Sequence, residues 1–169
     1  LFRSAEDPDA VAADLETIEA FNDRHTAVGA GAAIVDTIEL KAASGEAVDA
    51  ILDLVDDEIH PYFELDHRTD VRGILAAIAG LDAGAKIRTG GLEAAAHPSV
   101  EEVARFIEAC RMSEVPFKAT AGLHHPVRAH QASVGTEQFG FLNVFLGAAM
   151  LHAGRIDGEG LDRKSTRLN

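Results

Sequence analysis

Gly84-Ala85-Lys86-Ile87-Arg88-Thr89 decides the fold. Ala85 and Ile87 alternate with Lys86 and Arg88, and in a strand residues two apart point the same way. The segment therefore reads as a strand over 84–89 with one apolar face and one cationic face. Three more segments share this form: Glu39-Leu40-Lys41, Glu64-Leu65-Asp66 and Lys118-Ala119-Thr120. A helix-like stretch follows each of the four. Charges aimed at a sheet face that should be apolar must be paired or put to use, so the function is expected there.

Working outward, the spacing predicts a helix over 8–23, with Pro8 in its first turn and Val11, Leu15 and Ile18 on one stripe. A strand is expected at 33–41, after the break at Gly29-Ala30-Gly31, and then a helix at 46–57. The second strand is read at 59–66. Thr69 or Asp70 is expected to cap a helix at 70–81. Ser99-Val100-Glu101-Glu102 is a capping box that opens a helix at 100–112. A strand at 115–120 leads through a loop rich in Gly and His to a helix at 137–153. That last helix is apolar almost all round, so burial against further protein is expected.

Alternating β and α implies a parallel sheet covered by helices. Between a doubly wound open sheet and part of a (β/α)8 barrel of the TIM type, the charges near the strand C-termini favour the barrel. The expectation is about four βα units in a single truncated domain over 1–161. The tail from Asp162 to Asn169 resembles a translated sequencing adaptor and is set aside from fold reasoning. The lack of an initiator Met and the opening of the chain inside what reads as a helix fit the same expectation.

A net charge of −13 argues against nucleic acid and anionic membrane as partners. No apolar run reaches the length of a membrane span. The single cysteine, Cys110, lies on the apolar stripe of its helix and cannot form an internal disulfide, so it reads as a core residue. A cytoplasmic location is the default expectation. The apolar last helix is also compatible with a homo-oligomer.

Lys86 and Lys118 carry the sharpest chemical signal, because lysine suits neither a strand interior nor burial. Two amines facing one interior would disfavour each other's protonation, which frees a neutral amine to attack a carbonyl. The competing reading is that each lysine pairs with Glu39, Glu64 or Asp66. Arg88, Gly90 and Gly91 end the third strand, where glycine backbone and a cation suit an anionic group; a plain turn needing positive φ is the alternative for the glycines. Lys41, Asp66 and Thr120 are further candidates for substrate contact, as are His124 and His125 just past the fourth strand.

Ala85-Lys86-Ile87-Arg88-Thr89-Gly90-Gly91, followed by Phe117-Lys118-Ala119-Thr120-Ala121-Gly122, resembles the class I deoxyribose-phosphate aldolase family. Val35-Asp36-Thr37-Ile38-Glu39 and Tyr62-Phe63-Glu64-Leu65 are similar to that family's acidic strands, so the resemblance spans roughly 33–125. It implies a barrel lyase in which Lys86 forms an imine, Lys118 lowers its pKa and Asp36 or Glu39 shuttles the proton, with no cofactor and no metal. Leu123-His124-His125 stands where the family has a phosphate-site glycine. Asp36 and Glu39 have opposite strand parity; the strand pattern favours Glu39 and the resemblance Asp36.

The expected function is thus activation of a small anionic or carbonyl-containing substrate through a lysine. Two alternatives stand beside it. One is metal-assisted enolisation or hydrolysis with Glu39, Glu64, Asp66 and His124 or His125 around the ion. The other is a non-catalytic barrel whose interior charges form an ion-pair network.

Overall fold

The computed structural model describes residues 2–26, 33–157 and 160. In chain order the elements are β1 (Phe2–Ser4), α1 (Pro8–Thr26), β2 (Thr37–Lys41), α2 (Gly45–Leu52), β3 (His60–Glu64), α3 (Arg72–Ile78) and β4 (Gly84–Arg88). A short 3-10 turn at Ala94–Ala96 leads to α4 (Val100–Met112) and β5 (Phe117–Thr120). Then come β6 (Ala129–Gln131), β7 (Thr136–Gln138) and α5 (Phe141–His152).

β1 to β5 form one parallel sheet in the order β1-β2-β3-β4-β5, and β6 and β7 form a separate antiparallel pair. The strand order never reverses, so the described sheet lacks the switch point that defines a doubly wound fold. Parallel crossovers are right-handed, and sequential order then puts the connecting helices on one face. Accordingly α1 packs on α2, α2 on α3, α3 on α4 and α4 on α5. The core lies between that helix layer and one sheet face: Leu40, Phe63, Ala85 and Ile87 meet Val48, Ile51, Leu75, Ile78, Val103 and Ile107.

Local chemistry explains the helix limits. The capping box of α4 is formed, with Ser99 Oγ accepting from Glu102 N–H and Glu102 Oε2 accepting from Ser99 N–H. Its stripe of Val100, Val103, Ile107 and Cys110 is buried. Ser44 Oγ caps α2 by accepting from Ala47 N–H. Asp70 accepts from Arg72 N–H but sits two residues before the start of α3, whose N-cap, Val71, has no side-chain cap. Asn22, near the end of α1, accepts from Val35 N–H and donates to Val35 O at 2.8 and 2.9 Å. It thereby pins the lead-in to β2.

Three expectations need correction. A strand, β1, precedes the first helix, so the parallel sheet has five strands among the described residues where four are read from the sequence. The β2 strand begins at Thr37; residues 33–36 precede it, and the Asp36 carbonyl accepts from His60 N–H at 2.8 Å. The loop before α5 carries the β6–β7 hairpin, so α5 starts at Phe141. Gly140 permits that start: a Cβ there would collide with the Pro126 carbonyl. The first N–H groups of α5, from Phe141 and Leu142, donate to the carbonyls of His125 and Pro126. One face of α5, with Val144, Ala148 and Leu151, is buried in the chain's own core, whereas Phe141, Leu142, Phe145 and Leu146 are exposed. No helix among the described residues is long and apolar enough to cross a membrane.

Candidate active site

The sheet register lines up one polar row. Ser4 pairs with Lys41, Lys41 with Glu64, Glu64 with Lys86 and Lys86 with Lys118. One step toward the strand N-termini lies the row Glu39, Tyr62, Gly84. Both rows are on the face opposite the helix layer, because Leu40, Phe63, Ala85 and Ile87 take the other parity.

The side chains converge. Lys86 Nζ donates to Glu39 Oε2 at 2.5 Å and stands 2.9 Å from Glu64 Oε2. Lys118 Nζ reaches the other oxygen of Glu39 at 2.6 Å and lies 4.7 Å above the centre of the Tyr62 ring. Lys86 is only 3% exposed and Glu64 9%, while Glu39 and Lys118 are about a third open to solvent. Glu64 Oε2 is within ion-pair reach of Lys86 but off the hydrogen-bond direction, and no other donor meets it among the described residues. Gly84 makes the site possible, since any Cβ there would overlap the Tyr62 ring.

The contact between Glu39 and Lys118 also constrains the sheet. They sit on β2 and β5, three strand spacings and one two-residue step apart. A flat sheet would separate their Cα atoms by roughly 16 Å, beyond the reach of the two side chains. The contact therefore requires the sheet to curl with its charged face concave.

Glu39 is pulled in two directions. Burial raises its pKa, but hydrogen bonds from Lys118 and Lys86, together with their charges, outweigh burial and hold it below its ordinary value. Asp66 is also lowered, chiefly by the hydrogen bond from Arg68, against burial. Burial pushes the Cys110 thiol up to about 12, consistent with an unreactive core residue.

The sequence candidates separate clearly. Glu39, Glu64, Lys86 and Lys118 come together. Asp36 does not: it lies before β2, is exposed and accepts from the Thr37 hydroxyl at 3.1 Å. Asp66 is tied to Arg68 at 2.8 and 3.1 Å. His124 and His125 are exposed in the loop before β6. Among the described residues no three His, Cys, Asp or Glu side chains are grouped to hold a metal ion, so the four-ligand arrangement around Glu39, Glu64, Asp66 and a loop histidine is not assembled.

Arg88 follows Lys86 on the same face and donates from Nε to Gly90 O at 3.3 Å. Gly90 and Gly91 do not have positive φ. Close packing explains them instead: a Cβ on Gly90 would come 3.0 Å from Gly122 Cα, and one on Gly91 2.7 Å from Ala96 Cβ. Thr120 contributes its carbonyl, which accepts from Thr89 N–H and Oγ1. The buried Thr89 hydroxyl also bonds Ala121 O at 2.6 Å, tying together the ends of β4 and β5 where Ala121 and Gly122 both take positive φ.

Sequence reading missed Tyr62 and Ser4 as site residues. Parity with Glu64 is a signal that finds Tyr62; nothing in a three-residue strand singles out Ser4. Lys41, Glu64, Asp66, Arg68, Arg88 and Ser4 line a recess of about 400 Å³ at the C-terminal ends of the strands. No protein-family model, curated protein or solved structure matches the chain.

Proposed function

We propose that the chain forms part of a (β/α)8-type barrel enzyme that activates a small carbonyl substrate through Lys86. One observation carries the reading: Lys86, buried on the concave sheet face, lies in contact with both Glu39 and Glu64 and beside Lys118. Barrel enzymes place their chemistry at the C-terminal ends of parallel strands, and the unreversed strand order and concave charged face fit such a barrel. The resemblance to class I deoxyribose-phosphate aldolases supports the same assignment.

In this reading Lys86 passes a proton to Glu39 and its amine attacks the carbonyl carbon. Glu39 returns the proton to the new alkoxide, giving a carbinolamine. Loss of water leaves a protonated imine, so one ammonium and one carbonyl yield one iminium and one water. The iminium draws electrons from a neighbouring C–H or C–C bond, and Glu64 or Glu39 accepts the proton released. Lys118, held over Tyr62, supplies positive charge beside the reacting centre.

A second reading also has a specific observation behind it. Glu39 bridges both amines, and two lysines face two glutamates, so the charges balance without a substrate. A non-catalytic barrel with a satisfied ion-pair network has this appearance. Reduction with borohydride in the presence of small aldehydes and ketones separates the readings: a covalent adduct on Lys86 supports the enzyme, and an unmodified cluster supports the network.

A further inference from the structure

A groove of about 490 Å³ lies apart from the lysine cluster. One wall is a face of α1, where Leu15, Glu16, Glu19 and Asp23 recur at helical spacing. The other is the turn between α2 and β3, with Leu54, Asp56, Glu58 and Ile59. Ile59 leads directly into β3, so the groove opens at the N-terminal ends of the strands, the end opposite the Arg88 recess. Half-buried Leu15 and buried Ile59 form its apolar floor, and Leu54 is left 42% exposed beside them. The five acids are all exposed and form the rim. Among the described residues none of the five is ion-paired, and no Lys, Arg or His lines the groove.

We propose that this groove docks a cationic amphipathic segment of a partner protein. Its apolar face would lie on Leu15, Leu54 and Ile59, and its Lys or Arg side chains against the five carboxylates. Charge complementarity selects that occupant, and an apolar floor with a charged rim is the form of a groove that takes an amphipathic helix. Lysine and arginine stems can cover apolar surface while their heads reach the rim. The rim repels nucleic acid and anionic membrane. A second copy of this chain would bring its own net charge of −13 to the same acids. A small cation alone would leave Leu54 in water. The docking does not depend on the chemistry assigned to Lys86.

The test is fluorescence anisotropy with a dye-labelled synthetic peptide that carries leucines at helical spacing and lysines elsewhere. Binding should be saturable and should weaken as salt is added. Leu54→Ser should weaken it by about fivefold, as burial of roughly half a leucine side chain implies. Glu16→Gln combined with Glu19→Gln should weaken it by about threefold, the scale of two exposed ion pairs. Leu54, Glu16 and Glu19 are exposed, so circular dichroism and the urea midpoint of these variants should match wild type.

Two controls separate docking from diffuse attraction to an acidic protein. An oligolysine without leucines should bind more weakly than the amphipathic peptide, and Leu54→Ser should leave that weaker binding unchanged. Glu93→Gln combined with Glu101→Gln, exposed acids at the opposite end of the strands, should leave peptide affinity within about twofold of wild type, as distant exposed charges are screened. No binding of the amphipathic peptide, equal binding of oligolysine, or equal losses from the distant and the rim variants overturns the proposal. Sedimentation without peptide checks the remaining occupant: self-association that Leu54→Ser abolishes assigns the groove to a second copy and also overturns it.

Discussion

Glu39 and Lys118 stand on strands with β3 and β4 between them, yet Glu39 Oε1 lies 2.6 Å from Lys118 Nζ. The same carboxylate holds Lys86 at 2.5 Å through its other oxygen. Glu39 is thus the hinge of the cluster: it bridges two amines that would otherwise repel, and it is the nearest base to both. Removing it should disturb the site more than removing any other acid of the chain.

That position has a pH signature. A carboxylate whose folded pKa is depressed adds stability above its unfolded value, and the contribution is lost as pH falls through the folded value. Glu39 starts from 4.5 and is lowered, so its contribution should be complete above about pH 4.5 and fade below it. Asp66 and Asp70, lowered by Arg68 and Arg72, act in the same direction, Asp70 with a pKa of about 2. Urea unfolding from pH 7 to 3 should show wild-type stability falling on the acid side, with a shallower fall in Glu39→Gln. Parallel curves for the two proteins would place the acid sensitivity elsewhere.

Lys86→Met tests the buried pair. Removing one partner leaves the Glu64 carboxylate buried without its counter-charge, a change that costs about 3 kcal/mol or more in comparable sites. Adding Glu64→Gln should restore part of that loss, so the double variant should lose less stability than the sum of the two single variants. Additive single effects would show that the 2.9 Å approach contributes nothing to stability.

Tyr62 offers a direct optical report, because the chain has one tyrosine and no tryptophan. Its ring occupies the space over Gly84 and under Lys118. Gly84→Ala should displace the ring, change the tyrosine emission and destabilise the fold by about 1–3 kcal/mol through overpacking. Unchanged emission with full stability would mean that the ring does not depend on that gap.

Cys110 is buried, and its thiol pKa is about 12. A thiol reagent should therefore label it slowly in the native protein and rapidly in denaturant, at a rate that follows unfolding. Rapid native labelling would contradict its place in the core between α4 and the sheet.

Some of this was legible in the chain and some was not. The α4 boundaries followed from a capping box whose two hydrogen bonds are local. The shared face of Lys86 and Lys118 followed from strand parity and the in-register pairing of β4 with β5. Parity also favours Glu39 over Asp36, and the geometry agrees, since Glu39 meets both amines while the Asp36 carboxylate bonds the Thr37 hydroxyl. β1 escaped notice because three residues before a helix carry no period. The β6–β7 hairpin escaped because Ala129–Gln131 and Thr136–Gln138 have no apolar alternation. Gly90 and Gly91 suggested a turn, yet they serve close approaches to Gly122 and Ala96, contacts set by strand packing rather than by neighbours in sequence. The recess needs Ser4, Lys41, Asp66 and Arg88 from separate strand ends, which only the folded register brings together.

The central claim is that Lys86 reacts with carbonyl compounds, and reductive trapping tests it most directly. Incubation with small aldehydes and ketones, reduction with borohydride and peptide mapping by mass spectrometry should place a stable adduct on Lys86, with none in Lys86→Met. Labelling confined to exposed lysines, with Lys86 unmodified across the panel in a folded protein, would contradict the account and leave the cluster as a structural ion-pair network.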